Sequence, residues 1–131
     1  MLASSAMFNW RRPTNLGVKD GRLAPCRRTP NCVSSQADPA DREHYIAPLA
    51  GSMADVLRAV QSLPRTRVVQ SSASYLYAEF RSKLLGYVDD VEFFFDGKEM
   101  QVRSASRLGR RDFGVNRARV EEIRRLIKRR P

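Results

Sequence analysis

The chain has 131 residues and a mass of 14.9 kDa, the size of one domain. Its 42% hydrophobic and 29% charged residues exclude a collagen-like or wholly disordered chain, two cysteines exclude a disulfide-dense scaffold, and one histidine excludes an all-histidine metal or catalytic cluster within the chain. The net charge of +10 belongs to the ends: residues 1–32 carry six basic and one acidic residue, residues 33–102 seven and ten, and residues 103–131 eleven and three, so the termini suit anionic partners or simply form solvated faces.

In chain order, Met1 to Trp10 is mildly apolar but is followed by Arg11 and Arg12, without the charged and apolar regions of a signal peptide. No stretch approaches the roughly 18 uncharged apolar residues of a membrane span. The expectation is a cytoplasmic protein, or an envelope-associated one if the true start lies upstream. Pro13, Pro25, Pro30, Pro39 and Pro48 break residues 1–50 into irregular chain. We expect a flexible tail over 1–20 and a single α+β domain over 21–131, with residues 21–50 an arm that wraps the core.

Ser52 and Asp55 make a weak capping box, and Met53, Val56, Leu57, Val60 and Leu63 follow helical spacing up to Pro64. This predicts a helix over about 53–63. The period then changes to two. Arg67 to Gln70 is a short β-branched run; in Tyr75 to Arg81, Leu76, Ala78 and Phe80 share a face opposite Tyr75, Tyr77, Glu79 and Arg81; Tyr87 to Phe95 is a further strand.

Asp96-Gly97 is a hairpin dipeptide. A two-residue loop there would set Phe95 against Lys98, Phe93 against Met100 and Val91 against Val102 on the core face, and pair Asp90 with Arg103 and Glu92 with Gln101 on the other. On the core face Tyr87 would meet Ser106 and Asp89 would meet Ser104, so that face turns polar at one end. Polar groups there must be wet, paired or bound to something. For the last helix, Asn116 is the expected N-cap, Val115 and Val120 a staple, Val120, Ile123, Leu126 and Ile127 the apolar stripe, and Glu121 the partner of Arg125. The fold class is then a two-layer α+β sandwich, a four-stranded antiparallel sheet with two helices on one face, preceded by an irregular N-terminal arm. The opposite face, with Tyr75, Tyr77 and Phe94, meets the arm or a partner.

Several stretches carry a resemblance: Leu23-Ala-Pro-Cys26, Pro30-Asn-Cys-Val-Ser-Ser35, Asp89-Asp-Val-Glu-Phe93, and Arg103-Ser-Ala-Ser-Arg-Leu-Gly109 through Asp112-Phe-Gly-Val-Asn-Arg117. Together, over about residues 22–127, they resemble the uncharacterised family called domain of unknown function 1499. The resemblance implies no established reaction.

The main candidate ligand site is the segment joining the last strand to the last helix: Arg103, Ser104, Ser106, Arg107, Arg110, Arg111, Asn116 and Arg117. Arginines beside a helix N-terminus can hold phosphate or carboxylate with bidentate geometry, and the serines add hydroxyl donors. The plain alternative pairs those arginines with Asp89, Asp90, Glu92 and Asp112. The segment is neither a Walker loop nor a dinucleotide fingerprint, and no cofactor is implied. Cys26 and Cys32 can close a small disulfide loop or stay a buried thiol pair. A Cys32–His44 nucleophile pair, or zinc with His44, would need partners that nothing positions. Asp90 and Glu92 share a strand face with Asp89 opposite, poor geometry for acid–base work. Arg117, Arg119, Arg124, Arg125, Lys128, Arg129 and Arg130 form a basic helix without a nucleic-acid-binding signature.

The leading reading is a non-enzymatic binding module for an anionic small molecule, lipid headgroup or protein partner at the arginine-rich loop. The rivals are an enzyme of unknown reaction using Asp89, Ser104 or Cys32, and a basic envelope- or nucleic-acid-associated protein.

Overall fold

The computed structural model describes residues 11–109 and 112–129. In chain order its elements are β1 (Cys32–Ser34), α1 (Met53–Gln61), β2 (Thr66–Ser71), β3 (Tyr75–Arg81), β4 (Val88–Phe95), β5 (Met100–Ser106) and α2 (Val115–Lys128). α1 starts as expected. The Ser52 side chain accepts from Asp55 N at 3.1 Å, and Asp55 accepts from Ser52 N at 3.1 Å, a full capping box.

The four predicted strands form an antiparallel meander, but the sheet has five strands, in the order β1-β5-β4-β3-β2. The expectation of four is therefore corrected. β1 is three residues long and follows Pro30, so it carries no readable period; it exists because β5 offers it an edge, with Val33 opposite Ser104.

The β4–β5 register is also corrected. Phe95 opposes Met100, Phe93 opposes Val102 and Val91 opposes Ser104, two residues from the predicted register. The connection is four residues, Asp96 to Glu99. The Asp96 carboxylate accepts from Lys98 N and Glu99 N, both at 2.8 Å, which closes the wider turn. A shift of two preserves the faces, because strand side chains alternate with period two. It does exchange the partners: Glu92 faces Arg103, not Gln101, and Asp90 faces Ala105, not Arg103.

Both helices cover one face. Val56, Ala59 and Val60 of α1 and Val120, Ile123 and Ile127 of α2 pack on Leu76, Ala78, Phe80, Val91, Phe93, Met100 and Val102. Ile46 and Leu49 of the arm join this core, whereas Leu23 lies on the opposite face with Tyr75 and Tyr77. The N-terminus of α2 differs from expectation. Gly114 is the cap residue, the Asp112 carboxylate accepts from Gly114 N at 2.8 Å and Asn116 N at 3.1 Å, and Asn116 turns inward. Val115 is exposed and forms no staple. The helix ion pairs are Glu121–Arg124 and Glu122–Arg125, at three-residue spacing, in place of Glu121–Arg125.

Candidate functional site

The sheet face away from the helices is a charged layer roofed by the arm. Tyr75, Tyr77 and Glu79 from β3, Asp90 and Glu92 from β4, and Arg103 from β5 are all buried there. Buried charges need partners, and most find them. Arg107 donates from Nε and NH2 to Asp90 at 2.8 and 2.8 Å and from NH2 to Glu79 at 2.7 Å. Tyr77 donates to Asp90. Arg12, in the stretch expected to be a tail, donates to Glu79 at 2.7 Å. The Tyr75 hydroxyl and Gly17 N donate to Glu92 at 2.5 and 2.6 Å.

The titrations follow this packing. Burial pushes the Glu79 carboxyl up, but Arg12 and Arg107 outweigh it and hold it below the ordinary range. Burial pushes the Glu92 carboxyl above its ordinary value against the pull of Tyr75, Gly17 and Arg103. Burial, then the carboxylates they donate to, raise the Tyr75 and Tyr77 hydroxyls, so both remain neutral. Burial lowers the Arg103 guanidinium, the charge of Arg27 adds to that effect, and Glu92 and Asp90 oppose it.

Arg103 is the exception to full pairing. It is 5% exposed, its NH1 stands 3.8 Å from Glu92 Oε1, and its NH2 reaches the Pro25 carbonyl at 3.4 Å. Among the described residues its Nε and Glu92 Oε1 are buried with no hydrogen-bond partner. Beside it opens a cleft of about 400 Å³ between arm and sheet, whose walls include Arg11, Arg27, Asn31, Cys32, Asp90, Arg103, Ser106 and Arg107. Cys26 and Cys32 are joined in a disulfide, so the loop carrying Arg27 is tied to the β1 edge at the cleft wall.

The expected ligand segment is thus divided by the sheet. Arg103, Ser106 and Arg107 line the cleft. Ser104 and Asn116 lie on the helix side, in the polar end of the core face. There Ser104 donates to Asn116 Oδ1 at 2.5 Å, and Asn116 Nδ2 reaches Ser106 Oγ at 2.8 Å and Asp112 at 2.7 Å. Arg119 pairs with Asp89 at 2.8 Å and stacks 4.8 Å from the Phe80 ring centre. Burial pushes the Asp89 carboxyl up, and Arg119 opposes this. This cluster is paired internally. Arg117 donates to the carbonyls of Arg42 and Glu43 at 3.2 and 3.3 Å, and Arg124 to those of Ala47 and Pro48 at 2.8 and 2.7 Å, so both clamp the arm. Arg110, Arg111 and Arg130 lie outside the described residues.

The predicted Asp90–Arg103 pair is replaced by Asp90–Arg107, a consequence of the register. His44 is far from nucleophile geometry: its ring nitrogens meet the Asp41 carboxylate at 2.8 Å and the Thr29 carbonyl at 2.9 Å, and Cys32 is in the disulfide. Among the described residues no group of three or more His, Cys, Asp or Glu could hold a metal ion, and no helix is long and apolar enough to cross a membrane. Sequence reasoning missed Arg11 and Arg27 as cleft residues. The six-residue spacing of Cys26 and Cys32 was the available signal for Arg27; for Arg11 there was none.

The family described as protein of unknown function (DUF1499) matches residues 22–127, and the chain belongs to it. No curated protein matches the chain.

Proposed function

We propose that this family member is a non-enzymatic binding module that holds an anionic group, phosphate or carboxylate, in the cleft between the arm and β5. The observation that carries the reading is the Arg103 Nε, buried beside the cleft with no hydrogen-bond partner among the described residues. Such a donor costs about 1–3 kcal/mol when left unmet, and an anion in the cleft would meet it. Arg27 and Arg11, both exposed on the wall, add positive charge. Arg107 is held by Asp90 and Glu79 and keeps that wall in place. The enzymatic rival draws no support, because Asp89, Ser104 and Cys32 are engaged by Arg119, Asn116 and Cys26.

The test is calorimetric titration of the oxidised protein with inorganic pyrophosphate and with citrate. Binding of either, weakened about tenfold by Arg27→Ala or Arg11→Ala, is the expected result. Both side chains are exposed, so the fold survives these changes. Absence of binding to both probes, or variants that bind as tightly as the wild type, would refute the reading.

A further inference from the structure

A second feature lies at the end of the sheet where β3 and β5 finish and β4 begins. The β3–β4 turn presents Leu84 at 88% and Leu85 at 63% exposure, followed by the exposed Tyr87. The β4–β5 ladder brings β5 alongside. Asp89 opposes Ser106, and Arg107 N donates to the Val88 carbonyl at 3.3 Å, so the exposed Leu108 emerges next to Tyr87. Asn31 ties the next stretch to the same end through the Leu108 and Gly109 carbonyls, and Phe113, 90% exposed with φ of 53°, follows before α2. A bulky residue in the left-handed region is strained, and here it projects an aromatic ring into solvent.

Large apolar side chains gathered at one end of a small domain mark a contact surface. The charges around it select the partner. Between Asp20 and Asp38, between Glu79 and Asp89, and between Glu99 and Asp112 the sequence holds no acidic residue. They contribute the exposed Arg27, Arg28, Arg81 and Lys83 to this end, the α1–β2 connection adds the exposed Arg65 beside Arg81, and Asp112 stands at the far edge next to Phe113. The turn is closed by Ser82 N donating to the Tyr87 carbonyl at 2.8 Å, with exposed leucines between them, a tyrosine after them and a lysine before them. That arrangement suits an interface that is apolar a few ångströms in and negatively charged at its surface.

We propose that this end of the sheet docks on an anionic lipid surface, with Leu84 and Leu85 inserted, Tyr87 at headgroup level and Lys83 with its neighbouring cations against the headgroups. The inference rests on exposure and charge at the sheet end and stands whether or not the cleft binds a soluble anion.

The test is co-sedimentation of the full, oxidised chain with vesicles of phosphatidylcholine alone and of phosphatidylcholine mixed equally with phosphatidylglycerol. The wild type is expected to bind the mixed vesicles and not the neutral ones. The double variant Leu84→Ser/Leu85→Ser is expected to bind about tenfold or more weakly, from the apolar surface no longer inserted. Lys83→Glu is expected to weaken binding as well, and increasingly so as salt is lowered. Both sites are exposed, and an unchanged urea midpoint confirms that the variants are folded. The proposal is overturned if the wild type binds neither vesicle, if it binds both equally, or if the double variant binds like the wild type. A dimer in solution that the double variant makes monomeric, without vesicle binding, would assign this end to a second copy of the chain and also overturn it. Loss of pyrophosphate and citrate binding in Arg11→Ala, a cleft residue outside the loops of this end, with vesicle binding retained, separates this surface from the cleft.

Discussion

Arg107→Met is the sharpest probe of the charged layer. Arg107 is nearly fully buried, and its guanidinium makes three short charge-assisted hydrogen bonds, two to Asp90 and one to Glu79. Methionine fills much of the same volume, so the loss is electrostatic. Glu79 keeps Arg12 at 2.7 Å, on a side chain that is itself half-exposed, whereas among the described residues Asp90 keeps the Tyr77 hydroxyl as its hydrogen-bond partner and the charge of Arg103 nearby. A buried carboxylate stripped of its cation costs about 3–5 kcal/mol, against about 5–15 kcal/mol of total stability for a domain of this size. At a usual urea dependence the unfolding midpoint should fall by about 2 M. The assay is urea unfolding followed by far-ultraviolet circular dichroism, with the disulfide intact. Adding Asp90→Asn removes the uncompensated charge and should restore about half of the loss. A fall under about 1 kcal/mol, or no rescue by Asp90→Asn, would refute the claim that the layer depends on this pairing.

Three further outcomes follow from other parts of the molecule. Asn116→Ala should cost about 3 kcal/mol in the same assay, because it leaves Ser104, Ser106 and Asp112 without their shared partner in the buried polar end of the core. Gly51→Ala should cost about 1–3 kcal/mol, since a Cβ there would stand 2.8 Å from Ile127 Cγ2 and push α2 off the core; thermal unfolding reads it. Burial lowers the His44 imidazole, but the Thr29 carbonyl and Asp41 carboxylate outweigh it and raise it above its ordinary value, with Glu43 3.5 Å away. The stability this contributes is complete below an ordinary value of about 6.5 and is lost as pH rises through the folded value. Urea midpoints of the wild type should therefore fall as pH rises above the ordinary imidazole value of about 6.5, and those of His44→Gln should fall less.

Local signals carried much of the architecture. Ser52 and Asp55 mark the start of α1 because a capping box is made within four residues, and alternation in Tyr75–Arg81 and Val88–Phe95 assigns each side chain to a face whatever the register. That parity placed Asp89 at the polar end of the core and Asp90 with Glu92 on the other face, and both placements hold. The family motifs also marked the arginine segment. Tertiary structure decided what the period cannot encode. β1 needs an edge some seventy residues away in sequence, so its three residues carry no pattern of their own. The four-residue turn depends on one carboxylate choosing two backbone donors over a tighter bend, and that choice passes Arg103 to Glu92 and Asp90 to Arg107. The cleft itself exists only because the stretch from Arg11 to Arg27, spanning the expected tail and the start of the arm, folds back over a sheet face whose charges would otherwise meet water. Pairing among residues far apart in the chain is set by packing and burial, and these act on the folded surface as a whole.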